Sequence, residues 1–151
     1  MTLLCLMGSP VLANDIVIAP EEQPEQCHTD IPQVRVTVNN ISEGGLLSVE
    51  LYNDPDNFLS RKGRVKRTRV PATDSIQTVC FNIKEPATFA VAVYQDMDSN
   101  FKMNRRWNMM PKEPFGLSLN PEMKFGFPKF SNSAFDTDEN GADISIDLHI
   151  P

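Results

Sequence analysis

Apolar residues recur at every second position in several short runs of this chain. Val34, Val36 and Val38 alternate with Arg35, Thr37 and Asn39. Leu47, Val49 and Leu51 alternate with Ser48, Glu50 and Tyr52. A period of two sends alternate side chains to opposite faces, so each run predicts a half-buried strand. Ser42-Glu43-Gly44-Gly45 between them is turn chemistry, and the two strands are expected to pair as a hairpin. A third strand carries Val79, Phe81 and Ile83 on one face, with Cys80 on the other. A fourth sets Phe89, Val91 and Val93 against Ala90, Ala92 and Tyr94 and reads as buried on both faces. The last alternates Ile144, Ile146, Leu148 and Ile150 with Asp143, Ser145, Asp147 and His149. One or two further strands are expected within residues 58–72 and 115–135. The predicted core is Val36, Leu47, Val49, Leu51, Val79, Phe81, Phe89, Val91, Val93, Ile146 and Leu148. No segment holds a helical period. The expected fold is all-β, an antiparallel β-sandwich with one long loop before the last strands.

Composition adds compartment and domain count. The 151 residues allow one domain, and the twelve prolines favour turns and edges over helices. Residues 1–13 read as a signal segment: Thr2-Leu3-Leu4-Cys5-Leu6-Met7 is apolar and Val11-Leu12-Ala13 ends in small residues. The charged start of such a segment is missing, and a buried N-terminal strand is the competing reading. The apolar run is too short to remain as a membrane span. Residues 14–32 form a Pro- and Glu-rich extended lead, expected to lack structure of its own except where Cys27 pins it. Residues 33–151 are the sandwich domain. Removal of the signal segment takes Cys5 and leaves Cys27 and Cys80, an even number that favours one disulfide in a periplasmic or secreted protein. Two unpaired thiols, or a metal pair with His28, are the alternatives.

The net charge of −6 disfavours a general nucleic-acid role, because phosphate binding needs a basic field. One basic run stands out in residues 61–69: Arg61, Lys62, Arg64, Lys66, Arg67 and Arg69. It reads first as a solvated edge strand whose charges block edge pairing. The functional alternative is contact with an anionic envelope polymer.

The candidate chemistry lies in the long stretch from Tyr94 to Phe135. Asp96, Asp98, Asn100 and Asn104 offer oxygens at alternating positions, as a hard cation such as calcium requires. Phe101 stands where an EF-hand needs glycine, and Trp107 where it needs the bidentate Glu. An Asx-rich turn that bonds its own backbone is the structural alternative. Six of the nine phenylalanines fall here: Phe101, Phe115, Phe125, Phe127, Phe130 and Phe135. Trp107, Phe115, Phe127 and Phe130 are candidate pocket residues; the alternative is a satellite core that anchors the loop. Lys102, Arg105 and Arg106 are placed to neutralise Asp96 and Asp98. No catalytic residue is assigned. The two histidines, His28 and His149, belong to no recognisable nucleophile motif, and no P-loop or metalloprotease motif occurs.

Several runs together resemble a bacterial family of small exported proteins catalogued as a domain of unknown function. They are Gly45-Leu46-Leu47-Ser48-Val49-Glu50-Leu51-Tyr52-Asn53, Ala87-Thr88-Phe89-Ala90-Val91-Ala92-Val93-Tyr94-Gln95-Asp96, Pro111-Lys112-Glu113-Pro114-Phe115-Gly116-Leu117-Ser118 and Phe125-Gly126-Phe127-Pro128-Lys129-Phe130. Ser99, Phe101 and Asn104 stand where that family has glycines and a closing Asp. The resemblance implies an exported immunoglobulin-like or transthyretin-like sandwich and carries over no catalytic residue. The functional expectation is therefore a non-enzymatic binding or accessory module of the cell envelope. A calcium-stabilised structural module and a cryptic hydrolase are the alternatives.

Overall fold

The computed structural model describes residues 16–123 and 126–151. The signal-segment reading and Phe125 lie outside the described residues. Eight strands form two sheets: β1 (Gln33–Asn39), β2 (Leu46–Tyr52), β3 (Arg64–Pro71), β4 (Gln77–Asn82), β5 (Thr88–Asp96), β6 (Phe115–Leu117), β7 (Phe135–Asp136) and β8 (Gly141–Asp147). One sheet has the order β4-β1-β8; the other runs β3-β2-β5-β6, with β7 also on β5. Pairing is antiparallel throughout except between β1 and β8, which run parallel from Gln33 beside Gly141 to Asn39 beside Asp147. The expected additional strands are β3 and β6. No helix among the described residues is long and apolar enough to cross a membrane.

The two sheets pack face to face. Every residue assigned to the core from alternation is buried. Val34, Val36, Phe81 and Ile146 come from one sheet and Leu47, Val49, Val91 and Val93 from the other, in one continuous cluster. The expected β1–β2 hairpin does not form. β1 pairs with β4 and β8, whereas β2 pairs with β3 and β5. Two adjacent amphipathic strands can bury their apolar faces against each other from opposite sheets as well as side by side, and here they do the former. The Gln95 side chain holds the crossing segment: it accepts from the Ser42 N–H (3.1 Å) and donates to the Ser42 and Gly44 carbonyls (2.6 and 2.8 Å). Gly45 follows at φ +71°, where a Cβ would lie 2.2 Å from the Asp96 carbonyl oxygen. Only glycine fits this approach of β2 to the end of β5.

From Ile16 onward the lead is held against the sandwich at more points than Cys27. Pro20–Glu22 is one turn of 3-10 helix. Glu22 ion-pairs with Arg67 and Arg69 of β3. Three residues on, Glu25 pairs with Lys66 of β3, accepts the Asn82 N–H of β4 (2.5 Å), and bridges to Cys80 through its backbone. The lead thus passes from the β3 edge of one sheet to the β4 edge of the other and covers both. Cys27 and Cys80 close the strap with a disulfide, Cα to Cα 5.3 Å. Cys80 sits on the outer face of its sheet, as the strand period requires.

Candidate functional site

The outer face of the five-stranded sheet is where the chain departs from a plain sandwich. All seven residues of β2 are buried, including Ser48, Glu50 and Tyr52, which point away from the core. Something must cover that face, and the loops on either side of β6 do so. Between the sheet and these loops lies a cavity of about 650 Å³. Glu50, Tyr52, Ala92 and Tyr94 form its floor, and Met103, Met109, Met110 and Phe115 are among its walls.

The floor carries a polar network. The Tyr52 hydroxyl donates to Glu50 Oε2. Glu50 Oε1 accepts from Arg64 Nη1 at 3.0 Å and Arg67 Nη1 at 3.5 Å. Burial, reinforced by the Glu50 charge, holds the Tyr52 phenol well above its ordinary 10.0, so it stays a donor. Behind this network, burial pulls the Glu22 carboxyl up; the hydrogen bonds and charges of Arg67 and Arg69 overcome it and hold Glu22 below its ordinary 4.5. Arg69, almost fully buried, also donates from Nη2 to the Phe101 carbonyl (3.1 Å) and lies 4.9 Å from the Phe101 ring centroid. One guanidinium therefore joins the lead, β3 and the loop that roofs the cavity.

The basic run is thus consumed largely inside the molecule: Arg64, Lys66, Arg67 and Arg69 each face a carboxylate. Arg61 and Lys62 are exposed and make no ion pair among the described residues.

Residues 96–104 form a tight turn at the end of β5. Asp96 is fully buried, and its two oxygens accept the Asn100 N–H (3.1 Å) and the Phe101 N–H (2.7 Å). The exposed Asp98 accepts from the side-chain amides of Asn100 (3.0 Å) and Asn104 (3.1 Å). Asn100 and Asn104 thus present N–H groups to the Asp98 carboxylate, while their own amide oxygens accept from the Lys102 N–H and the Asn100 amide. Lys102, Arg105 and Arg106 do not neutralise the pair as expected; among the described residues none makes an ion pair with it. Instead a third carboxylate enters. Glu113, buried, accepts the Met97 N–H (3.0 Å) and the Asn104 N–H (3.1 Å). Asp96, Asp98 and Glu113 bring one oxygen each within 4.8 Å of the others. Burial pushes the Asp96 and Glu113 carboxyls above their ordinary 3.8 and 4.5, and the neighbouring acids push them further; the bond from Asp96, with the amides, holds Asp98 below its own.

The four aromatic pocket candidates divide. Phe115 and Phe127 line the cavity. Trp107 is 96% exposed and lines nothing there. Phe130 is buried in a small cluster with Tyr52 and Ala90, its ring 5.6 Å from that of Phe58, which lines the cavity. It supports the site without reaching it. His149 pairs through its backbone with Phe115, and its ring lies 6.2 Å from the Phe115 ring.

Glu113, Glu50 and Tyr52 were not singled out as site residues from sequence. For the last two a signal existed: the outward positions Tyr52, Ala90, Ala92 and Tyr94 are apolar or aromatic, which marks a covered face. Glu113 stands alone between Lys112 and Pro114, and its partners are set only by how the loop folds back.

Residues 36–145 match a family described as an uncharacterized protein conserved in bacteria (DUF2141). No curated protein and no solved structure matches.

Proposed function

The chain belongs to this bacterial family, and on that premise we propose that it is an exported, non-enzymatic binding module of the cell envelope whose ligand site is the cavity on the outer face of the five-stranded sheet. One observation carries the reading. A cavity of about 650 Å³ combines apolar walls with a few converging polar groups, the usual constitution of a small-molecule site. The disulfide and the apolar N-terminal run support export, since disulfides persist in oxidising compartments. The polar groups in the floor are engaged with one another, and Tyr52 is held protonated, which suits orientation of a ligand rather than bond cleavage.

The test uses a neutral fluorescent probe, phenylnaphthylamine, titrated into the folded protein. Saturable binding of one equivalent is expected. An Ala92→Phe variant, which fills the cavity from its floor, should lose that binding while keeping its melting temperature within a few degrees. Unsaturable binding, or binding unaffected by the filled floor, would remove the cavity from the account.

A calcium-stabilised module is the second reading, favoured by the convergence of Asp96, Asp98 and Glu113 with no cationic side chain among the described residues paired to them. The expected ligands are these three carboxylates; the amide oxygens of Asn100 and Asn104 would have to turn to join them. Under this reading, millimolar calcium raises the melting temperature, and Asp98→Ala abolishes the rise, because a ligand of the folded state alone must stabilise it. An unchanged melting temperature would mean that the N–H groups of Met97, Asn100, Phe101 and Asn104 suffice.

A further inference from the structure

We infer that the cavity takes a single-chain amphiphile with an anionic head, its tail among the methionines and its head at the cationic rim; this rests on the cavity being the ligand site.

The first ground is charge. The chain as a whole carries −6. Among the described residues the cavity lining reverses that sign, with Arg64, Arg67, Lys102 and Arg105 against Glu50. Placing cations in the lining of an acidic protein gives a local field that selects anions and repels cations.

The second ground is unspent hydrogen-bonding capacity. A guanidinium has five N–H donors in a planar fork. Arg64 spends one contact on Glu50, from Nη1. Arg105 spends one on the Met109 carbonyl (3.0 Å). The Lys102 ammonium has no partner among the described residues, although its backbone N–H is held by Asn100 Oδ1 (2.9 Å). An acidic head group can take the place of water at these donors, and charge-assisted contacts of this kind are the strong ones. Arg67, by contrast, is committed to Glu22 and Glu50.

The third ground is the nature of the apolar lining. Met103, Met109, Met110 and Met123 line the cavity with Phe115 and Phe127. Unbranched thioethers adapt to a flexible alkyl chain, whereas a rigid ring system is better matched by branched and aromatic walls. Met109 and Met110 are about half exposed, so the tail's arrival buries apolar surface that the free protein leaves in water. Phe127, 74% exposed at the cavity mouth, is placed to fold over the tail in the same way. The roof is tied to β3 at Phe101, through the Arg69 guanidinium.

Dodecanoate and dodecyltrimethylammonium, each below its micelle-forming concentration, compete for bound phenylnaphthylamine. Their tails match and their heads differ in sign. Dodecanoate should displace the probe at a concentration at least about tenfold lower. Added salt should shrink that ratio, since the head group lies at a solvent-accessible rim. In Lys102→Gln/Arg105→Gln the ratio should fall below about threefold. Equal displacement by the two heads in the wild type, or a ratio unchanged in the double variant, would overturn the inference while leaving the cavity as an apolar site. Failure of the probe itself to bind would instead remove the cavity reading on which the inference rests.

Discussion

Truncation of Phe81 to alanine is expected to cost about 3–5 kcal/mol of folding stability, the range for a fully buried phenylalanine whose space the surroundings cannot refill. Phe81 has no exposed surface and sits in β4 opposite Val34. Its neighbours in the cluster come from both sheets. They are held by two ladders that do not move easily toward each other, so the void stays open. Urea denaturation of the variant against the parent measures the loss. A change below about 1 kcal/mol would show that the ring is not packed between the sheets.

Replacing Cys27 and Cys80 together with alanine should have an effect of similar size. The bond closes a loop of 53 residues, and the chain-entropy model gives about 4 kcal/mol for a loop of that length. Alanine at both positions avoids leaving a polar stub at Cys80, which is fully buried. The lead loses more than a crosslink. Glu22 and Glu25 reach Arg67, Arg69 and Lys66 because the strap holds them there. The denaturation midpoint of the double variant, compared with oxidised parent, is the measurement. A shift worth less than about 1 kcal/mol would mean that the ion pairs hold the lead unaided.

The strands were legible because a half-buried strand writes its own period into the sequence. Val36, Val49, Phe81, Val91 and Ile146 could be assigned to the core from alternation alone. What alternation does not encode is the partner. It states that Val36 and Val49 face a common interior, and both the hairpin and the observed crossing satisfy that condition. The observed crossing is accompanied by contacts far from either strand's own pattern, the Gln95 side chain on the connecting segment and the approach of Gly45 to Asp96. The parallel pairing of β1 with β8 was equally silent, being a relation between the two ends of the domain.

The site was legible in position but not in chemistry. Residues 96–104 were read as a tight turn with its carboxylates on backbone N–H groups or on one shared cation; the turn forms, and the Asp96 oxygens accept the Asn100 and Phe101 N–H groups. The neutralising role given to Lys102, Arg105 and Arg106 rested on proximity in sequence. In the fold, Lys102 and Arg105 line the cavity, and none of the three makes an ion pair with the turn among the described residues. The basic run does lie largely on an edge strand, β3, as read from sequence, but the ion pairs of Arg64, Lys66, Arg67 and Arg69 were not legible there. Its partners, Glu22 and Glu25, lie more than forty residues away in the lead, a separation that no local pattern reports. Trp107 shows the converse: a large aromatic residue in an aromatic loop is not thereby a wall of the pocket, and here it stands in solvent.

The placement of β8 beside β1 also bears on the order of assembly. Arg35 and Asp143 are hydrogen-bonded at 2.5 Å and lie 108 residues apart in sequence. Until residues 141–147 are available, β1 has β4 on one side and an open edge on the other. The entropy of closing so long a segment must be met before the contact can repay it, and folds dominated by such distant pairings take on the order of milliseconds to seconds. The three-stranded sheet therefore stays unfinished until residues 141–147 have emerged and paired, about a hundred residues after β1 itself.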